Sequence, residues 1–400
     1  MLFDARNIHE SPAHPKNEAL IDTETLNYVD KKVRRRQRRL LGAQAALLTL
    51  TTAISAYWID VEDNQERQAS SEAVVSVHEA PLDPENDSSA IVFFNGFGTY
   101  DADSIADTFG PGLKQTIDGE SWSISYGNAP LNSARLAEKI ELMAEERNID
   151  TIDIVGYSAG GVIGIDTAAE LSDNPNLTIR SITTVSTPDG IDGLRPHQRK
   201  ELEFADTLGS IPGAKYSTAV RFAGEVYFMR DRYDSGNPVE RIHDFGKTAL
   251  FASENLQRPK FPGTWLLVDQ ALAIAEADIA SNLELIRENY KTTKPNPTLM
   301  YIGTAEPGRD YMVNNEQSSQ NICTYARANA MPCSIHDVPG AIHTMPEKTP
   351  EEYTQTFIAA ADDLTTGIES AQLRYSSDTF YSQTNRSFRT QLNQAVPLED

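Results

Sequence analysis

The stretch Ile149–Ser172 joins two different hydrophobic patterns through a turn that carries a serine. "IDTIDIVG" is a short, apolar, β-branched run typical of a buried strand, and "GGVIGIDTAAELS" has the character of a helix. Between them, "GYSAG" places Ser158 among glycines, which permit a tight strand-to-helix turn. Gly-x-Ser-x-Gly arises by chance in roughly one chain in ten of this size, so its meaning depends on what surrounds it.

Strand and helix patterns alternate on both sides of this turn. Helical spacing recurs at 131–148 and 316–330 and from Pro350 to about Thr366. The alternation predicts an α/β fold with a mostly parallel sheet flanked by helices. The other predicted strands are Ala90–Asn95, Ser121–Gly127, Ile179–Thr187, Thr298–Thr304 and Cys333–Val338. Asp153 interrupts the apolar strand before Ser158, and we expect it to pair with a neighbouring side chain.

Two segments do not follow the alternation. Residues 188–297 contain helical stretches, for example 265–290, and we interpret them as a helical cap inserted over the carboxyl ends of the strands. Residues 367–400 are polar and predict an extended or disordered tail. The α/β domain, with its cap, is thus expected to cover residues 89–366.

The N-terminal part carries a membrane signal. Residues 1–39 form a polar tail that ends in the basic cluster "KKVRRRQRR", and residues 40–59 carry no charge. About 20 helical residues cross the roughly 30 Å hydrocarbon core of a bilayer. The basic cluster predicts a single-pass signal anchor with a cytoplasmic N-terminus and an extracytoplasmic catalytic domain at the cell membrane. An amphipathic surface helix, or cleavage after the span, is the alternative.

Residues 60–88 are acidic and polar and predict a linker, with one possible strand at 74–77. Beyond the membrane, Cys323 and Cys333 would meet an oxidising compartment, where they can form a disulfide. The alternative is two buried thiols. Their positions, late in a predicted helix and at the start of a predicted strand, leave both interpretations open.

The overall charge and the missing motifs exclude several classes of function. A net charge of −23 argues against nucleic-acid binding, which needs a basic face for phosphates. No pattern typical of a zinc, nucleotide or calcium site is present, so we expect neither a metal nor a cofactor. The oligomeric state cannot be inferred from the sequence.

The motifs around Ser158 resemble those of the α/β-hydrolase family over residues 89–366. "GYSAG" resembles the nucleophile elbow of that family, which would make Ser158 the nucleophile. "FFNGFGT" resembles the first oxyanion loop of lipases and esterases, although Asn95 stands where a histidine is common. The resemblance implies an oxyanion hole made by the backbone N–H groups of Phe97 and Ala159.

The resemblance also implies an acid after the strand that follows the cap, and a histidine after the last strand. "GRDYMV" resembles the acid turn of small bacterial lipases and favours Asp310, with Glu306 as the alternative. His343 follows a Pro-Gly turn before the last helix, whereas His336 falls inside a predicted strand, so we favour His343. The order Ser158, Asp310, His343 is the order that α/β-hydrolases use.

Together these features predict a membrane-anchored serine hydrolase without a cofactor. The substrate expected is a small-molecule or lipid carboxylic ester, cleaved through an acyl-enzyme by an esterase or lipase. A peptidase or amidase on the same fold would carry the same triad. A non-catalytic binding module at the cell surface is the third alternative.

Overall fold

The computed structural model divides the chain into two units, residues 1–58 and residues 59–400. The residues it describes are 23–69, 72–127, 130–209, 211–230, 233, 237–256, 264–291, 293–304, 310–341, 343 and 346–395.

A seven-stranded sheet forms the centre of the second unit in the described part of the chain. Its strands are β1 (Val74–Glu79), β2 (Ser89–Phe94), β3 (Glu120–Ser125), β4 (Thr151–Tyr157), β5 (Thr178–Val185), β6 (Thr298–Thr304) and β7 (Cys333–Val338). Their order is β1-β3-β2-β4-β5-β6-β7. The strand β1 pairs antiparallel with β3, and every other pairing is parallel. The mostly parallel sheet is therefore as the alternation predicts.

Helices follow most of the strands. They are α1 (Thr23–Ala69), α2 (Asp103–Leu113), α3 (Ser133–Arg147), α4 (Ala159–Leu171), α5 (Pro196–Gly209), α6 (Thr218–Phe228), α7 (Pro238–Leu256), α8 (Thr264–Ala275), α9 (Ile279–Tyr290), α10 (Asn315–Ala328) and α11 (Pro350–Ala395).

Both faces of the sheet are covered, which explains why its central strands are almost continuously apolar. Along β2, Val92 and Phe94 join one core cluster, and Ile91 and Phe93 join the other. Side chains alternate between the faces of a strand, so two covered faces bury every residue of β2. The helices α3, α4, α9 and α10 supply residues to the first cluster, while α2 and α11 supply residues to the second.

Asp153, the acid inside β4, is fully buried and paired. Arg180 Nη2 donates to Asp153 Oδ2 at 2.5 Å, and Ser181 Oγ donates to Asp153 Oδ1 at 2.5 Å. Both donors lie on β5, the neighbouring strand. The partners of Asp153, which the sequence of β4 alone does not reveal, are thus side chains of the strand that pairs with β4.

The segment predicted as a cap divides into two parts. The stretch predicted as one helix over 265–290 is two helices, α8 and α9, and Asp278 caps the second by accepting from Ser281 N at 3.1 Å. Leu283 and Ile286 of α9 pack in the core against the sheet. A parallel connection from β5 to β6 needs a helix that crosses back over the sheet, and α9 is that helix. The remaining helices of the predicted cap are α5–α8, of which α8 also contributes Leu266 to this core cluster.

Two parts of the predicted linker, residues 60–88, make specific contacts with the rest of the second unit. Asp60 Oδ2 accepts from Thr218 N at 2.8 Å and from Ser217 Oγ at 3.0 Å, at the start of α6. The possible strand at 74–77 is β1, which pairs with β3. Only Val75 of its six residues is buried, as fits a strand at the edge of the sheet. The sheet domain thus begins at Val74 and not at residue 89.

The polar C-terminal segment is helical rather than extended, since α11 continues from Pro350 to Ala395. Its buried side chains Phe357, Leu364 and Ala371 keep the helical spacing past Gly367. At Gly367 an added Cβ would lie 2.5 Å from Thr298 Cγ2. This glycine permits close packing of the helix on β6, and the prediction that the helix ends near it is wrong.

One helix in the described part of the chain is long and apolar enough to cross a membrane, judged by length and composition. It covers Lys31–Gln65 and so includes the predicted span at 40–59.

Candidate active site

Ser158 lies at a sharp turn between a strand and a helix. The strand β4 ends at Tyr157, α4 begins at Ala159, and Ser158 has φ 54° and ψ −125°. A positive φ is uncommon for a residue with a side chain and indicates local strain. Ser158 N donates to Val185 O at 2.8 Å, which fixes the turn to the end of β5. The strained turn holds the serine at the carboxyl end of the sheet.

Glycines make this turn possible through close packing. An added Cβ at Gly156 would overlap the backbone of Gly161, and one at Gly160 would overlap the backbone of Phe94. The helix α4 therefore approaches β2 and β4 more closely than any residue with a side chain would allow.

His343 joins Ser158 to Asp310. His343 Nδ1 lies 2.8 Å from Asp310 Oδ2, and His343 Nε2 lies 2.9 Å from Ser158 Oγ. An ionised carboxylate only accepts, so Nδ1 carries the proton and the Ser158 hydroxyl donates to Nε2. His343 is 5% exposed and the ring of Tyr157 lies 5.4 Å from the imidazole, between centroids. The structure thus brings the three predicted residues into one chain of hydrogen bonds.

Asp310 is held by four further donors. Met312 N and Val313 N donate to Asp310 Oδ1 at 2.8 and 3.0 Å. Thr304 Oγ1 and Asn315 Nδ2 each donate to Asp310 Oδ2 at 2.8 Å. Thr304 ends β6 and Asn315 begins α10, so both neighbouring elements position the carboxylate.

The surroundings of Asp310 lower the pKa of its carboxyl group. Burial by itself would raise its pKa, but the hydrogen bond and charge of His343, with the amides of Val313 and Met312, lower the pKa below its usual value. Asp310 is therefore an anion at neutral pH. The buried carboxylate accepts from Nδ1 and so orients the imidazole of His343.

The structure describes one of the two alternative residues, His336. Glu306, the alternative acid, lies outside the residues that the structure describes. His336 lies within β7, as predicted, and its Nε2 is 3.3 Å from Asp363 Oδ2. This distance places the His336 ring beside α11.

The loop after β2 passes directly beside Ser158. An added Cβ at Gly96 would lie 2.9 Å from Ser158 Cβ, so Phe97 follows a residue in contact with the serine. Within the described part of the chain, neither Phe97 N nor Ala159 N donates to a protein acceptor. Ala159 is the first residue of α4, and the amides at a helix N-terminus favour negative charge.

Asn95 shapes this loop where the resembling family commonly has histidine. Its Oδ1 accepts from Gly96 N at 2.7 Å, and its Nδ2 donates to Asp101 O at 2.9 Å. Tyr126 Oη donates to Asn95 O at 2.6 Å. The side chain is 5% exposed and therefore serves as an internal brace of the loop.

Three side chains that sequence reasoning missed contact the site. Thr304 and Asn315 bind Asp310, and Gln270 of α8 binds the loop after β2. Thr304 closes a predicted strand and Asn315 directly precedes the helix predicted over 316–330, but the sequence does not show that both contact Asp310. No feature of the sequence marks Gln270.

Cys323 and Cys333 form a disulfide, with their Cα atoms 5.5 Å apart. The bond ties α10 to the first residue of β7. Within the described residues, no group of three or more His, Cys, Asp or Glu side chains is placed to hold a metal ion.

No protein-family model matches the sequence, and no curated protein matches it either. Comparison with solved structures finds a carboxylesterase from the ammonia-oxidizing thaumarchaeon Nitrososphaera gargenis, with 13% identity over 74% of this chain and 95% of that chain and a TM-score of 0.45. A putative aryl esterase from Burkholderia cenocepacia matches with 15% identity, 74% and 96% coverage and a TM-score of 0.43. An esterase from Exiguobacterium antarcticum matches with 11% identity, 72% and 95% coverage and a TM-score of 0.42. The strand order, the strained serine turn between β4 and α4, and the chain order Ser158, Asp310, His343 give this chain the α/β-hydrolase fold.

Proposed function

We propose that the chain is a serine hydrolase that cleaves carboxylic esters through an acyl-enzyme. The observation that carries the proposal is the continuous chain of hydrogen bonds from Ser158 Oγ through the His343 imidazole to Asp310. A serine hydroxyl becomes a competent nucleophile when a neighbouring base takes its proton. The geometry supplies that base and an acid that orients it.

The reaction follows from these positions. Ser158 Oγ attacks the ester carbonyl while His343 Nε2 takes the hydroxyl proton. The carbonyl oxygen becomes an oxyanion, which the N–H groups of Phe97 and Ala159 stabilise. The tetrahedral intermediate then collapses, the C–O bond to the alcohol breaks, and His343 returns the proton to the leaving alkoxide. Water repeats the sequence on the acyl-enzyme and releases the carboxylic acid.

The acid–base roles agree with the charges of the site. Asp310 remains ionised because its donors lower its pKa, so it can stabilise His343 during each step in which the imidazole carries two protons. The proposed reaction needs no electron transfer and no co-reactant except water.

We further propose that residues 40–59 anchor the enzyme in the cell membrane, with the catalytic domain on the extracytoplasmic side. The apolar helix Lys31–Gln65 supports an anchor, and the basic cluster at 31–39 supports a cytoplasmic N-terminus. The Cys323–Cys333 disulfide is compatible with an oxidising compartment. Protease treatment of intact, and then permeabilised, cells tests the orientation, since an extracytoplasmic domain is digested without permeabilisation.

Labelling with a fluorophosphonate probe tests the activated serine. We would treat the full chain in detergent beside Ser158→Ala, His343→Ala and the matched control His336→Ala. We expect labelling of the parent and of His336→Ala, and loss of labelling in the other two variants. A folded parent that takes no label, or a Ser158→Ala variant that still does, would contradict the proposal.

Matched substrates then distinguish an esterase from an amidase. A series of p-nitrophenyl esters of increasing acyl length is compared with p-nitroanilides of the same acyl groups. We expect ester turnover to exceed anilide turnover for every acyl group. Faster anilide turnover would replace the esterase with an amidase or peptidase, and labelling without turnover of either series would indicate a binding module.

A further inference from the structure

The loop that carries the Phe97 amide is held on both flanks by side-chain amide groups. On one flank, Asn95 Oδ1 accepts from Gly96 N at 2.7 Å. On the other, Gln270 Oε1 accepts from Gly98 N at 2.9 Å, and Gln270 Nε2 donates to Thr99 O at 3.1 Å. The Phe97 peptide therefore lies between two fixed points.

Gln270 reaches this loop from the cap. It lies on α8, 172 positions from Gly98, and it is fully buried. Its two partners settle the orientation of the side chain, because a backbone N–H can only donate and a backbone C=O can only accept. A buried glutamine with both ends engaged by one loop is a specific contact rather than general packing.

The loop needs such support because of its composition. Gly96 and Gly98 flank Phe97, and Gly98 has a φ of +80°. Glycine samples more backbone conformations than other residues, so an unsupported Gly-Phe-Gly segment would let the Phe97 N–H swing away from the serine. The hydrogen bonds to Gly98 and Thr99 remove that freedom on the side toward the cap.

We propose that Gln270 is a positioning residue for the oxyanion hole, through which the cap helix α8 completes the catalytic site. This inference rests on the proposed function, because it assigns Phe97 N–H the task of stabilising the oxyanion. The proposal assigns Gln270 no contact with the substrate or with Ser158. Gln270 acts by fixing Gly98 and Thr99, so its loss weakens transition-state stabilisation more than substrate binding.

The test uses Gln270→Met, which keeps the approximate length of the side chain and removes both hydrogen bonds. Asp269→Ala is the matched control, because the neighbouring Asp269 Oδ2 accepts from Leu131 N at 2.8 Å and so also ties α8 to the sheet domain. The full chain is assayed in detergent with a soluble p-nitrophenyl ester. For Gln270→Met we expect kcat to fall about 10- to 100-fold, with KM within about threefold of the parent. For Asp269→Ala we expect kcat within about threefold of the parent.

A boronic acid provides a second readout, since its tetrahedral adduct on serine places an anionic oxygen in the oxyanion hole. We expect the inhibition constant of a phenylboronic acid to rise for Gln270→Met by about the same factor by which kcat falls. A purely structural role would lower the amount of folded protein, and would leave the affinity of the folded fraction unchanged.

Gln270→Glu offers a rescue experiment that also applies where Gln270→Met fails to fold. A protonated glutamic acid restores both an acceptor and a donor, whereas the ionised form restores only the acceptor. The activity of Gln270→Glu relative to the parent at the same pH is therefore expected to rise as the pH falls. A pH-independent ratio would contradict the proposal.

Two further results would overturn it. One is a rise in KM at constant kcat for Gln270→Met, which would assign Gln270 to substrate binding. The other is an equal loss in Gln270→Met and Asp269→Ala, which would reflect only a loosened cap. Failure of the proposed function itself is distinguishable, because the parent would then show neither ester turnover nor fluorophosphonate labelling.

Discussion

The carboxyl ends of the strands and the cap contribute to the site in different ways. At the strand ends, Ser158 and Asp310 are fixed by backbone amides and by side chains of adjoining elements. From the cap, α8 sends Gln270 to the oxyanion loop, while α7 leaves Val239 and Ile242 76% and 74% exposed. Hydrogen bonds within the sheet domain hold the strand ends, whereas the cap combines the buried Gln270 with exposed apolar side chains on α7.

Under the proposed function, the strand ends hold the residues that react, and a helix of the cap influences how fast they react. The strand ends hold Asp310 and His343 in buried positions, where packing limits movement. Gln270 connects the loop after β2 to a cap helix, and under our proposal the position of that helix affects the geometry of the oxyanion hole. A change in the cap can therefore alter the rate of reaction without touching Ser158, His343 or Asp310.

The largest expected effect comes from the strand-end side. Asp310→Asn should lower kcat about 10⁴-fold at neutral pH, because an amide can present its NH₂ group to His343 and favour the wrong tautomer. Steady-state kinetics on a p-nitrophenyl ester measure this loss. Asp363→Asn, beside His336, is the control and should retain activity within about twofold of the parent. A loss below about tenfold for Asp310→Asn would remove Asp310 from its proposed role.

Loss of the Asn95 hydrogen bonds should lower kcat about as much as loss of the Gln270 hydrogen bonds. Asn95→Ala removes the acceptor of Gly96 N and the donor to Asp101 O, and we expect kcat to fall about 10- to 100-fold. Combined with Gln270→Met, the loss should be smaller than the product of the two single losses, because one released flank already loosens the loop. Strictly multiplicative losses would mean that the two side chains act on different structures.

The disulfide should affect stability and leave chemistry almost unchanged. It closes a short segment between α10 and the start of β7, at the opposite end of that strand from His343. Replacing Cys323 and Cys333 together by serine should lower the free energy of unfolding by about 2–3 kcal/mol, with kcat within about twofold. Denaturant unfolding and ester kinetics on the same preparation check both parts. A large loss of kcat would connect this region to the site.

A smaller effect follows from the lowered pKa of Asp310. A carboxyl whose pKa is lower in the folded state stabilises the fold above its unfolded-state pKa of about 4, and this stabilisation is lost as the pH falls through the folded-state pKa. The melting temperature of the parent should therefore fall more steeply below about pH 4 than that of Asp310→Asn. Thermal melts at matched ionic strength between pH 3 and 6 would detect it, and parallel curves would contradict it.

The strand-end side of this comparison was largely predictable from the sequence. The turn around Ser158 is local, since strand, glycines and helix follow one another within Ile149–Ser172. The acid and the histidine were predicted from the resemblance to the α/β-hydrolase family. The structure brings Asp310 and His343 to Ser158 at hydrogen-bond distance.

The remainder depends on contacts that sequence patterns do not encode. Gln270 follows Asp269 in an otherwise apolar part of α8, and only the folded cap reveals its partners 172 and 171 positions away. The valines of β1 indicate a possible strand, but its pairing with β3 is a contact across the fold that the local pattern does not show. Gly367 suggests a helix end where it permits close packing. The helix α9 belongs to the sheet core because a parallel connection requires it there.

Detection of the acyl-enzyme is the most direct test of the proposed serine hydrolase mechanism. The parent chain would be mixed rapidly with a p-nitrophenyl ester, quenched in acid, and digested for mass mapping of the acylated residue. The account predicts a burst of p-nitrophenol close to one equivalent, with the acyl group on Ser158, and neither signal in His343→Ala. Ester turnover without acyl transfer to Ser158, or an acyl group on another residue, would contradict it.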